Sequence, residues 1–212
     1  MKLGARDIAG FLADPKKAMG ALIYGPDLGL VRHRLNEIAA KILTNPDDPF
    51  GRIEISVEQL AQDPAKLHDE LSAMSLMGEA RLVILRDAAD SVSEVVAEAL
   101  SALSPHTYFV MFAGDLPARS SLRALAEKHP QLAALPCYKE EGAGLDALIR
   151  ETFSGYGLRA PSEVIRYLSA SLGGDRMVVL NEIEKISLYL GDEVETIGLE
   201  EVMLLVGDNS DR

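Results

Sequence analysis

Cysteine, tryptophan and positive charge are what this 212-residue chain has least of. A single cysteine, Cys137, allows no internal disulfide and fits a reducing compartment. There is no tryptophan, and aromatics are 5% of residues, too sparse to build a platform on which bases stack. The 21 Lys and Arg are outnumbered by 33 Asp and Glu, for a formal net charge of -12. Such a surface repels phosphate backbones, so contacts with other proteins are expected and DNA is expected to be held at most weakly. No apolar run approaches the ~20 residues of a bilayer span. The opening Met1-Lys2-Leu3-Gly4-Ala5-Arg6-Asp7 has no apolar signal core, so a cytoplasmic location with no membrane contact is expected.

The parts of familiar active sites are missing too. None of His33, His68, His106 and His129 stands at metal-ligand spacing from Cys137 or from another histidine, so no metal is expected. Cys137 falls in a strand-like run and reads as a small core residue. Ser120-Ser121 have no nearby His/Asp constellation and read as a helix cap, and there is no Gly-x-Ser-x-Gly elbow. No catalytic residue and no cofactor is expected.

What is present is enough apolar material for a core, 48% of residues. Residues 21–24, 81–86 and 107–113 are continuous apolar runs of the kind buried on both faces of a parallel sheet. Residues 52–56 alternate as a half-exposed strand does, and a last strand is expected near 135–138. Between them lie helical patterns. One covers 28–43, with Leu28, Val31, Leu35, Ile38 and Ile42 on one stripe. Another covers 63–74, with Asp63 as N-cap and Pro64 in the first turn. A third begins at a capping box over 91–94, and a fourth covers 120–128. Five strands alternating with helices predict a doubly wound parallel α/β domain over residues 1–140. From 141 to 212 no strand is evident. Helical faces there, broken at Gly173-Gly174 and Gly191, predict a small all-α domain.

The stretch Leu22-Ile23-Tyr24-Gly25-Pro26-Asp27-Leu28-Gly29-Leu30-Val31-Arg32 lies where such a fold places a phosphate loop. A working loop reads G-x-x-x-x-G-K-[ST], its Lys neutralising phosphate charge and its hydroxyl ligating magnesium. Counted from Gly25, the second glycine position holds Leu30, the lysine position Val31 and the hydroxyl position Arg32, with Gly29 one place early. After the strand at 81–86 comes Arg86-Asp87-Ala88 rather than a paired acid. ATP binding by this loop is not expected. Ser75-Leu76-Met77-Gly78 sets two large apolar residues in a break between a helix and a strand. They either fold back into the core or protrude as an apolar anchor for a partner.

The stretches ALIYGPDLGLVRHRLNEIAAKIL, LSAMSLMGEARLVILRDA, TYFVMFAGDLPARSSLRALAEK and LGGDRMVVLNEIEKISLYLG, in that order, resemble the delta subunit family of the bacterial DNA polymerase III clamp loader. The resemblance runs over nearly the whole chain and rests on the ordered set rather than on one fingerprint. It implies an AAA+-like domain of RecA type with a degenerate phosphate loop, followed by a helical lid. It also implies a helical collar domain that this sequence does not contain, so the chain is read as a two-domain portion of a longer protein. The family neither binds nor hydrolyses ATP. It holds the ring-shaped sliding clamp and helps to open it for loading on primed DNA, within the DNA polymerase III holoenzyme and beside other clamp-loader subunits. On that reading Leu76 and Met77, with Met74 and Ser75 beside them, are the clamp contact, with Met77 where an aromatic is usual. Arg176 stands where active AAA+ proteins carry a nucleotide-sensing arginine. Apart from the resemblance, a doubly wound nucleotide- or small-molecule-binding protein and an unrelated interaction adaptor remain alternatives.

Overall fold

A computed structural model describes residues 1–45, 48, 50–74, 79–139, 141–191 and 194–206, with the backbone alone at positions 5 and 6. The chain divides into two compact units, Met1–Cys137 and Tyr138–Arg212.

The first unit opens with helix α1 (Ala5–Ala13), strand β1 (Gly20–Tyr24) and helix α2 (Leu28–Ile42). Strand β2 (Arg52–Ser56) leads into α3 (Val57–Gln62) and α4 (Ala65–Ser72). Strand β3 (Arg81–Arg86), helix α5 (Ser93–Ala99), strand β4 (Thr107–Ala113), helix α6 (Ser121–Lys128) and strand β5 (Leu132–Pro136) complete it. All neighbouring strands are parallel, in the order β2-β3-β4-β1-β5. The doubly wound α/β sheet expected from the alternating pattern is therefore present.

Two apolar layers cover the sheet, and the two-residue period of a strand decides which side chains enter each. On one face Leu22, Tyr24, Val83, Leu85, Phe109 and Met111 meet helices α3 to α6. On the other Ile23, Leu82, Ile84, Tyr108 and Val110 meet α1 and α2. The expected stripe of α2 is in the second layer through Val31, Leu35, Ile38 and Ile42, whereas Leu28 is exposed.

Several boundaries differ from the sequence reading, each for a local reason. The helix expected over 63–74 is α4, and a helix that was not expected, α3, precedes it. Ser56 and Gln59 form a reciprocal capping box that starts α3. Asp63 then accepts from the Ala65 amide at 3.2 Å, and α4 begins. The box expected at 91–94 does not form. A 3-10 turn occupies Asp90–Val92, and Asp90 instead accepts from Ser120 Oγ and from the Leu122 amide at the start of α6. Ser120 itself caps α6, accepting from the Arg123 amide. Strand β5 begins earlier than expected.

The second unit holds α7 (Ala143–Gly155), α8 (Ser162–Leu172), α9 (Arg176–Leu190) and α10 (Leu199–Leu205) around one apolar cluster that includes Leu148, Phe153, Leu168, Ile183 and Val202. Asp175 caps α9 by accepting from the amides of Met177 and Val178. Gly173 ends α8 at φ 66°, a conformation that costs glycine nothing. An isolated parallel bridge joins Arg159 to Thr196, the one β pairing in this unit among the described residues. Phe153 is fully buried at the centre of the cluster. Phe153→Ala is expected to lower the stability of this unit by about 3–5 kcal/mol, read as an earlier urea transition for the helical signal.

A closed phosphate-loop position and a pinned helix end

Three residues, Gly25, Pro26 and Asp27, join β1 to α2. They are held from both sides. The Gly25 amide donates to Gly114 O at 3.0 Å, the Cys137 amide donates to Tyr24 O at 2.7 Å, and the Asp27 amide donates to Cys137 O at 3.3 Å. The backbone of Cys137 crosses directly over Gly25. A Cβ at Gly25 would stand 2.0 Å from Cys137 O, and φ there is 151°. Glycine is required for close backbone approach and for a conformation that other residues resist.

The side chains complete the closure. Asp27 is fully buried and caps α2, accepting from the Leu30 amide at 2.8 Å. That bond takes one of the helix-terminal donors a phosphate would otherwise meet, and it sets a carboxylate in the same place. Leu30 and Val31 lie in the core, Gly29 is half-buried, and Arg32 is exposed. Arg34 donates to Pro136 O at 2.6 Å and reaches Cys137 Sγ at 3.2 Å, which ties α2 to the end of β5. Burial pushes the Cys137 thiol up to about 11 against the opposing pull of the Arg34 charge, so it stays a neutral core group at pH 7. Beyond β3, Asp87 is exposed and left-handed at φ 55°, which aspartate tolerates.

The candidate contact segment lies between α4 and β3. Of its four residues Ser75, Leu76 and Met77 lie outside the described residues, as does Gly78; Met74 is described and is 79% exposed. Both flanks are tightly held. Arg81, nearly buried at the first position of β3, donates to Glu70 O at 2.9 Å and Ala73 O at 3.0 Å, and pairs with the Glu70 carboxylate at 2.6 Å. Ser104 N donates to Leu71 O at 2.9 Å, and Ala73 N to Asp69 O at 2.9 Å. The last carbonyls of α4 thus have partners, and a cation sits at the negative end of the helix. Residues 73 and 81 are joined through one guanidinium. The sequence reading missed Arg81; its signal was a cation at the head of an otherwise apolar strand, just after the candidate segment.

The other titratable groups do not converge. His33 lies 3.6 Å from Glu37, and His68 lies 3.7 Å from Asp69, both at the surface. Among the described residues no three His, Cys, Asp or Glu side chains are placed to hold a metal ion. No helix among the described residues is long and apolar enough to cross a membrane. Arg176 is the first residue of α9 and is half-buried.

The parallel five-stranded sheet with helices on both faces and a following helical unit define an AAA+-like fold of RecA type. Three solved structures share it. The Bacillus subtilis DNA clamp loader delta protein superposes with a TM-score of 0.69 at 18% identity, over 96% of this chain and 62% of that one. The Thermotoga maritima RuvB Holliday junction branch migration motor gives 0.52 at 13% identity, over 96% and 68%. Domain III of the Thermotoga maritima replication initiation protein DnaA gives 0.51 at 14% identity, over 99% and 95%. In sequence, the chain is 25% identical over 191 residues to a probable DNA polymerase III subunit delta of Rickettsia prowazekii (strain Madrid E), covering 90% of this chain. It spans 56% of that relative's length. No protein-family model matches the chain. The resemblance to clamp-loader delta subunits is borne out by this relative and by the delta protein fold.

Two outcomes follow from the geometry. Val31→Lys would bury a charge in an apolar layer. It is expected to cost at least about 3 kcal/mol of stability in urea unfolding and to add no ATP binding to that of the unsubstituted chain; a gain of saturable micromolar binding of labelled ATP over the unsubstituted chain would contradict the closed turn. Arg81→Gln is expected to cost about 2 kcal/mol, since it leaves carbonyls and a carboxylate without their partner. Amide exchange should quicken at residues 71–73 and 82, while β1 keeps its protection.

Proposed function

We infer that this chain is the two-domain portion of a clamp-loader delta subunit. It binds a sliding clamp, favours the open ring and performs no ATP hydrolysis of its own. The observation that carries this reading is the similarity to a probable DNA polymerase III subunit delta over 90% of the chain. The delta protein fold supports it. Three further features agree with it. The phosphate-loop position is occupied by the chain's own Asp27 carboxylate and Cys137 backbone. Met74 is exposed at the edge of the candidate segment. Arg81 anchors the two ends from which that segment springs.

In this reading Leu76 and Met77 are the anchors that enter an apolar pocket of the clamp, with Met74 and Ser75 at the rim. Apolar anchors in desolvated pockets dominate interface energies, and methionine adapts to a pocket shaped for another apolar side chain. A subunit that prefers the open ring shifts the clamp's equilibrium by its difference in affinity for the two states, with no chemistry required of it. Other loader subunits supply the ATP-driven step, and the loaded ring encircles primed DNA. The helical unit plays the part of the AAA+ lid.

The test is binding to a bacterial sliding clamp by surface plasmon resonance. Leu76→Ala combined with Met77→Ala is expected to weaken binding at least tenfold, about 1.4 kcal/mol, with an unchanged circular dichroism spectrum. Equal affinity of the folded double variant would overturn the assignment of these residues.

A further inference from the structure

The helical unit carries a cleft that the clamp reading leaves without a role. Its volume is about 790 Å³, within the ~300–1,000 Å³ of small-molecule sites. Its polar lining comes from Arg150 and Ser154 of α7, Arg159 and Thr196 of the isolated bridge, and Ser162 at the start of α8. No acidic side chain lines it among the described residues, although acidic residues outnumber basic ones by more than two to one over residues 138–212.

The backbone that presents these groups is fixed. The Arg159 amide donates to Glu195 O at 2.8 Å, and the Ile197 amide donates to Arg159 O at 3.1 Å, so Arg159 and Thr196 stand side by side. The α7 end is closed by Gly157 N to Ser154 O at 3.0 Å and by Leu158 N to Phe153 O at 2.9 Å. Leu158 is buried beneath the cleft. Arg150 and Arg159 are exposed and make no ion pair or side-chain hydrogen bond among the described residues. Elsewhere in the chain Arg52, Arg81, Arg86 and Arg123 are each paired with a glutamate.

We propose that this cleft binds a phosphate-bearing ligand, with the Arg150 and Arg159 guanidinium groups on the phosphate oxygens and the hydroxyls of Ser154, Ser162 and Thr196 as further donors. A guanidinium presents paired N–H groups that match two phosphate oxygens, and hydroxyls supply donors without adding charge. The lack of acid among the described lining residues, in so acidic a unit, is what an anion needs locally; the field of the whole chain opposes long-range capture. The phosphate is either a phosphodiester of single-stranded DNA or a free polyphosphate such as that of a nucleotide. The proposal is independent of the clamp-contact assignment.

The test uses the full chain with three probes: inorganic tripolyphosphate, ATP, and a fluorescein-labelled oligothymidylate. Calorimetry reads the first two and anisotropy the third, in 50 mM salt. Saturable binding of tripolyphosphate is expected, weakened at least tenfold by Arg150→Gln combined with Arg159→Gln. The charge-matched pair Lys41→Gln with Arg119→Gln, both exposed in the first unit, should leave it unchanged. Oligothymidylate that competes with tripolyphosphate, with a log–log salt slope near about -1.4 for two phosphate contacts, assigns the source as DNA. Binding of ATP and tripolyphosphate without the oligonucleotide assigns it as free polyphosphate. Absence of saturable binding below 1 mM for all three probes, or equal loss in the charge-matched pair, overturns the proposal.

Discussion

The crossing of the Cys137 backbone over Gly25 is the constraint on which the first unit depends. At this one place the ends of β1, β4 and β5 are tied to each other: Gly25 N to Gly114 O, Cys137 N to Tyr24 O, and Asp27 N to Cys137 O. The register of β5 against β1 and the start of α2 follow from it. So does the position of Val31 in the layer under α2. Backbone hydrogen bonds inside a dry layer are costly to leave unmade, so these three contacts stand or fall together. A turn fixed in this way cannot also open around a phosphate chain. Its amides are taken up by the protein, and its acid, Asp27, serves the helix.

The same economy governs the break between α4 and β3. The flanks of the proposed contact segment are held together by a residue outside it. Arg81 does this with one planar group, donating to two carbonyls of the helix end and to a carboxylate. Lysine would offer a point charge in place of the fork and would not span the same acceptors. The apolar layer under the sheet includes Leu67 and Leu71 of α4 and Val83 and Leu85 of β3, so the flanks of the proposed contact are part of the core.

Much of this was legible in the sequence, and the reasons are specific. The runs at 52–56, 81–86 and 107–113 are the observed β2, β3 and β4 residue for residue. The buried β3 and β4 are largely apolar, whereas the half-exposed β2 alternates. Strand β5 is Leu-Ala-Ala-Leu-Pro. Two alanines and a terminal proline have little strand preference, so its start is set by pairing with β1 rather than by local signal. Helix α1 was missed because its cap is glycine, with no Ser, Thr, Asp or Asn side chain to announce its start. The box at 91–94 failed because Asp90 found a better use at the start of α6, a contact across 30 residues that no local pattern announces. The degenerate phosphate loop was readable from Leu30, Val31 and Arg32. Its closure by residue 137 was not. The segment at 75–78 was readable as either core or apolar anchor, and only the family resemblance favoured the contact; the arginine that anchors its flanks was readable only through the fold.

How the arginines are used divides structure from function in this acidic chain. Arg34 ends on Pro136 O, Arg81 on Glu70 O and Ala73 O, Arg123 on Leu116 O, and Arg166 on Ser162 O. Each donates to a main-chain carbonyl of its own unit, which is a folding role for a scarce cation. A chain short of positive charge that spends four arginines on its own backbone keeps few for anything else. Arg150 and Arg159 are not spent in that way among the described residues; both line one cleft, where the isolated bridge sets Arg159 beside Thr196. Their separation in sequence, nine positions apart with a helix end between them, hides the pairing from any motif. The local chemistry of that cleft runs against the charge of everything around it, and such a reversal in so acidic a unit is an argument for a ligand rather than for stability.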